Sequence, residues 1–244
     1  MGRSRHEVST ADGVRISFEL YRETAGDALL IICPGFFQSK ETPTFQRLAG
    51  ALSGDCDVLC LDFRGHGRSS GLFTFSAREP TDLEAVLDWA QRRYARIGLI
   101  GFSLGAATAI NVASHRPGIR TLIAVSAPTA FEKIEFRFWT PEAIRTGLRG
   151  MEPGAGVRPG NPLAKKERPI DRVKKIAPVP ILFIHGTGDR TVLHRHSERL
   201  HRAAAEPKRF ILIERGGHAE ELFRDRPEQF LPPVREWLKA TLLA

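Results

Sequence analysis

The chain has 244 residues, 42% of them hydrophobic and 26% charged, and its 36 Lys and Arg against 28 Asp and Glu leave a formal net charge of +8. That balance excludes a disordered chain, and the length suits one α/β domain around a single sheet. The positive charge is interspersed with acids rather than gathered into a tract, so nucleic acid is not an expected partner; no run reaches the ~18 apolar residues of a membrane span.

Short apolar runs alternate with amphipathic stretches, the pattern of a mostly parallel sheet with helices on both faces. Residues 7–10 and 14–21 flank the turn signal Ala11-Asp12-Gly13 and predict an antiparallel edge hairpin. Buried strands are predicted at 28–33, 58–61, 97–101, 121–126, 179–185 and 209–213, which makes eight strands in all. Helical patterns cover 45–52, 81–93, 104–114, 197–205 and 229–243.

The alternation breaks between 127 and 178, where the Pro- and Gly-rich run 151–162 rules out one long helix. Short helices at 132–138 and 141–148, forming a lid above the sheet, are expected here. The expected organisation is a single domain over 1–244 with 127–178 as lid insertion. Cys33, Cys56 and Cys60 have neither zinc-ligand nor Cys-x-x-Cys spacing and lie in or beside apolar runs. They read as core thiols, and with the charged start, which lacks a signal-peptide core, they predict a cytoplasmic protein. The sequence leaves a homo-oligomer open.

The chemistry centres on Gly101-Phe102-Ser103-Leu104-Gly105, set between a predicted buried strand and a helix rich in small residues. A Gly-x-Ser-x-Gly match alone is moderate evidence, but the strand-turn-helix setting is what a nucleophile elbow needs. Small flanking residues permit a turn tight enough to project the serine beyond the sheet edge, and Ala106 and Ala107 let the helix approach the sheet. A buried serine capping a helix is the plain alternative.

A serine hydroxyl needs a base to become a nucleophile. Of eight histidines, His218 follows the last predicted strand in Gly216-Gly217-His218, a glycine-rich loop on the edge where Ser103 is expected. Surface or packing roles suffice for His6, His66, His115, His185, His194, His196 and His201. Asp189, in Gly186-Thr187-Gly188-Asp189 beyond another strand, is the expected partner of that base, ahead of Asp62, whose strand precedes the nucleophile. With an ordinary imidazole as base, activity rises with pH through roughly 6 to 7. The backbone amides of Phe36 and Leu104 are the expected oxyanion donors. Phe37, Phe102, Phe131 and Trp139 are candidates for an apolar substrate pocket.

Taken in order, Cys33-Pro34-Gly35-Phe36, the run Asp62-Phe63-Arg64-Gly65-His66-Gly67-Arg68-Ser69, Gly101 to Gly105, Gly188-Asp189 and Gly217-His218 resemble the signatures of the α/β-hydrolase superfamily. The style is similar to carboxylesterases, monoacylglycerol-lipase-like enzymes and serine-aminopeptidase-like hydrolases. Pro34 departs from the histidine that usually precedes the oxyanion-loop glycine. Serine rather than aspartate at position 103 argues against dehalogenase or epoxide-hydrolase chemistry. The resemblance implies an α/β-hydrolase fold and a small-molecule ester substrate, with no metal or organic cofactor. Thioesterase, peptidase, carbon-carbon hydrolase and acyltransferase chemistry, or a binding protein without turnover, stay open.

Overall fold

The computed structural model describes residues 2–23, 26–131, 134 and 152–244. The predicted lid helices 132–138 and 141–148, apart from position 134, lie outside the described residues, as does Trp139.

The sheet is eight-stranded: β1 (Gly2–Ser9), β2 (Arg15–Arg22), β3 (Ala28–Cys33), β4 (Asp57–Leu61), β5 (Arg96–Phe102), β6 (Ile119–Val125), β7 (Ile181–Gly186) and β8 (Lys208–Ile213), in the spatial order β1-β2-β4-β3-β5-β6-β7-β8. β1 and β2 pair antiparallel, β2 runs antiparallel to β4, and all later pairings are parallel. The hairpin turn forms where Ala11-Asp12-Gly13 predicts it, with Gly13 at φ 79° and its N–H donating to Thr10 O at 2.9 Å.

β1 begins five residues before the predicted start because its first half carries no apolar alternation. It is held instead by polar contacts across the pair: Arg3 and Arg5 reach Glu19, and His6 stacks on Phe18 at 5.5 Å. A strand held this way leaves no hydrophobic period to read.

Residues alternate in β3 between two cores. Leu29 and Ile31 join a cluster with Leu83, Val86 and Ile110 from α2 (Glu79–Gln91) and α3 (Leu104–Ala113). Leu30 and Ile32 pack instead with Phe45 and Leu48 of α1 (Pro43–Leu52) and with Phe230 and Val234 of the last helix. All four strand residues are fully buried, and each such side chain contributes about 1.5–3 kcal/mol of transfer free energy. A strand covered on both faces has to read as a continuous apolar run, as this one does.

The remaining helices are α4 (Pro169–Arg172), followed by a 3-10 turn Val173–Ile176, α5 (Arg195–Ala203), α6 (Glu221–Asp225) and α7 (Pro227–Thr241). Among the described residues no helix is long and apolar enough to cross a membrane. From β3 the chain steps to β4 on one side and then to β5 on the other. This reversal opens a crevice at the carboxyl ends of β3 and β5, the usual ligand position in open α/β sheets.

Candidate active site

β5 ends at Phe102 and α3 begins at Leu104, so Ser103 alone makes the connection. Its backbone is forced to φ 52° and ψ −115°, a region that costs a non-glycine residue about 1–3 kcal/mol. The turn is held from both sides: Ser103 N–H donates to Val125 O at 2.9 Å, and Ser103 O accepts from Ala107 N–H at 3.1 Å. A Cβ on Gly101 would come 2.6 Å from Ala106 Cα, and one on Gly105 would collide with the carbonyls of Cys33 and Pro34. These two glycines allow α3 to start directly against the sheet.

His218 lies in the loop after β8. Its N–H donates to Glu221 Oε2 at 2.7 Å, and the next amide, Ala219 N–H, donates to buried Ser126 Oγ at 3.0 Å. Asp189 follows β7, and the two loops are stitched together by Thr187 N–H to Ile213 O (3.0 Å) and Gly188 N–H to Gly216 O (2.9 Å). The outcome is a continuous line. His218 Nε2 lies 3.0 Å from Ser103 Oγ, and His218 Nδ1 lies 2.7 Å from Asp189 Oδ2. Because the carboxylate only accepts, Nδ1 carries the proton, and in the neutral ring Nε2 is left to accept from the serine.

Burial by itself would disfavour charge on either ring or carboxylate, but each stabilises the other. The charge of His218, with hydrogen bonds from His185 and His218, outweighs burial and holds Asp189 well below the usual carboxylate range. Burial pulls His218 down, but the charge and hydrogen bond of Asp189, then the charges of Glu220 and Glu221, overcome it and raise the imidazole to about 9. The acid partners around the ring favour its protonated form.

Asp62 is engaged elsewhere. Fully buried, it pairs with the equally buried ammonium of Lys40 and accepts from Lys40 N–H at 2.7 Å and Arg68 N–H at 2.9 Å. It braces the loop after β3 against the loop after β4.

That first loop carries the other expected donor. Gln38 N–H donates to Gly35 O at 3.2 Å, closing a turn with Phe36 and Phe37 at its corner and Phe37 at φ 67°. A Cβ on Gly35 would lie 3.4 Å from Ser103 Cβ, so the turn rests against the elbow. Leu104 N–H is the first amide of α3, a position with no intrahelical acceptor.

The aromatic candidates divide. Phe37 is 39% exposed beside Phe36. Phe131 meets Phe75 edge-on at 5.4 Å, within an apolar cluster that also holds Phe36, Phe73 and Leu104. Phe102 is not available to a pocket: it is fully buried, packed on Phe45 and Phe230 under the opposite face of the sheet, because the residue before the elbow points away from its neighbour.

Sequence reasoning passed over three contributors. His185, at the end of β7, lies 3.1 Å from Asp189 Oδ2. Ser126 supports the histidine loop, and Gln38 Nε2 donates to Glu220 Oε1 at 2.6 Å, tying the turn after β3 to the residue two beyond His218. The four-residue step from His185 to Asp189 was the one visible signal. Among the described residues no group of three or more His, Cys, Asp or Glu is arranged to hold a metal ion.

Known proteins place this geometry in context. The chain is 30% identical over 176 residues to the uncharacterised protein YfhR of Escherichia coli K12, covering 70% of this chain and 55% of that one. It is 30% identical over 243 residues to the uncharacterised protein Rv2307c of Mycobacterium tuberculosis, covering 96% and 78% respectively. The chain thus spans about half the length of the first of these relatives. In fold it is similar to the esterase Pf2001 of Pyrococcus furiosus, with a TM-score of 0.80 at 23% identity over 99% of this chain and 93% of the other. It is also similar to Est1E of Butyrivibrio proteoclasticus, solved with ferulic acid, with a TM-score of 0.76 at 23% identity over 96% and 98%. The model of the alpha/beta hydrolase family matches residues 30–232, from the first parallel strand into the last helix. That span takes in Ser103, Asp189 and His218 together with the sheet that carries them, and the chain belongs to the alpha/beta hydrolase family.

Proposed function

We propose that the chain is a serine hydrolase that cleaves carboxylic esters of small to medium hydrophobic substrates through an acyl-enzyme. The observation that carries this reading is the unbroken hydrogen-bonded line from Ser103 Oγ through both nitrogens of His218 to Asp189. Ser103 Oγ attacks the ester carbonyl carbon while its proton passes to His218 Nε2, and Asp189 stabilises the resulting imidazolium. The oxyanion is held by the amides of Phe36 and Leu104. Collapse expels the alcohol, which takes the proton from His218. Water then attacks the acyl-serine with His218 as base, and the acid leaves with Ser103 restored. This scheme needs no metal or organic cofactor.

Three features support the choice of substrate. The apolar cluster of Phe36, Phe73, Phe75, Phe131 and Leu104 adjoins the turn and the elbow. The Pyrococcus protein is an esterase, and the Butyrivibrio protein binds ferulic acid, an aromatic carboxylic acid. The reading takes 1–244 as one domain with 127–178 as lid, Phe37, Phe131 and Trp139 beside the substrate, and a cytoplasmic setting consistent with three buried free thiols.

The test is labelling by a fluorophosphonate together with a series of p-nitrophenyl esters of increasing chain length, compared with thioesters and aminoacyl amides. Labelling at Ser103, loss of both labelling and turnover in Ser103→Ala, and preference for esters are expected. Absence of labelling, or hydrolysis retained in Ser103→Ala, overturns the mechanism; a preference for aminoacyl amides overturns the substrate class.

A further inference from the structure

We propose that His185 is a positioning residue of this site, whose Nε2–H holds the Asp189 carboxylate in the one orientation that serves His218. The inference rests on the serine-hydrolase reading above.

His185 is the penultimate residue of β7 and is fully buried. Its Nε2 lies 3.1 Å from Asp189 Oδ2 and 2.8 Å from Val192 O, and its Nδ1 lies 2.7 Å from Ser197 Oγ on α5. A carboxylate and a carbonyl can only accept, so Nε2 must carry a proton. The hydroxyl of Ser197 faces Nδ1 and can donate to it or accept from it. Two acceptors in the loop after β7 therefore place a proton on Nε2.

The consequence falls on Asp189. Its Oδ1 accepts from Thr191 N–H and Val192 N–H, each at 2.9 Å, and its Oδ2 accepts from His218 Nδ1–H and His185 Nε2–H. Four N–H donors thus occupy a carboxylate whose side chain is wholly buried. The two backbone amides fix one oxygen; rotation of the other away from His218 is opposed by His185 from inside the sheet. The side-chain order Ser197, His185, Asp189, His218, Ser103 runs unbroken from α5 to the elbow. The other titratable or charged groups around this chain are Glu220 and Glu221 beside His218, and His196 with Arg195 and Arg199 on α5 beyond His185.

Without His185 one oxygen of a buried carboxylate loses a donor, so its charge pulls harder on the His218 proton while its orientation loosens. His185→Phe should lower kcat roughly ten- to a hundredfold with KM within about twofold, and shift the acidic limb of kcat/KM to higher pH. His185→Gln, which can present an N–H from nearly the same point, should recover most of kcat and return the limb. Two-bond nitrogen–proton correlation NMR on the unaltered protein should find His185 protonated at Nε2. An Nε2 without a proton, a folded Phe variant with unchanged kcat and limb, or a Gln variant no better than Phe overturns the proposal. Should the Phe variant not fold, the NMR tautomer decides by itself. Failure of the hydrolase reading is distinguished by fluorophosphonate labelling of the unaltered protein, on which the His185 tautomer does not depend.

Discussion

Two aspartates follow strands at the same sheet edge, Asp62 after β4 and Asp189 in the loop after β7, and replacing each by asparagine separates a brace from the partner of His218. Asp62→Asn leaves the Lys40 ammonium, itself fully buried, without its counter-charge. Breaking a buried pair in this way costs about 3–5 kcal/mol. For a chain of this size each kcal/mol lowers Tm by roughly 2–4 °C, so a fall of roughly 6–20 °C is expected. The distance from His218 to Asp189 is untouched, so kcat measured well below the melting point should stay within about tenfold of the parent. Asp189→Asn does the reverse: an amide turned toward His218 favours the tautomer with its proton on Nε2, which cannot accept from Ser103, and kcat should drop by about 10⁴. The assay is a thermal melt by circular dichroism beside initial rates on a p-nitrophenyl ester. The reasoning fails if Asp62→Asn melts like the parent but loses turnover, or if Asp189→Asn keeps kcat within tenfold.

The rate of ester hydrolysis against pH should rise through an apparent pKa above the ordinary imidazole value of about 6.5, because protonated His218 cannot take the serine proton. Glu220→Gln removes one of the negative charges favouring that protonated form and should move the limb to lower pH; an unmoved limb would rule out a contribution from Glu220. Ser126→Ala deprives Ala219 N–H of its buried acceptor at the histidine loop, which costs about 1–3 kcal/mol and should appear as a Tm lowered by roughly 2–12 °C. Ser103→Gly should melt a few degrees above Ser103→Ala, since glycine adopts φ 52° freely and alanine does not; equal melting points would mean the elbow stores no strain.

The strands were legible where burial on both faces leaves a continuous apolar run, as in β3 and β5, and the hairpin where the turn signal Ala11-Asp12-Gly13 separates two strand-like stretches. β1 was half-hidden because its first residues are held by Arg–Glu contacts and a histidine stack, which have no period. The site was legible to the extent that its chemistry is local: the glycines around Ser103 exist because a Cβ at 101 or 105 has no room, and that constraint is written into five consecutive residues. Its supports were not. Gln38 and Glu220 meet across 182 positions and Ser126 and Ala219 across 93, and neither pair leaves a local trace.

Sequence alone determined the class of sheet and the tight turn at Ser103, because backbone sterics and hydrophobic period act over a few neighbours at a time. Tertiary structure decided that Asp189 is the carboxylate facing His218, that Asp62 is spent on Lys40, that Phe102 belongs to the core and that His185 stands behind Asp189. Those outcomes depend on which loop ends come together at the edge of the sheet, and strand order, set by packing across the whole molecule, is what brings them there.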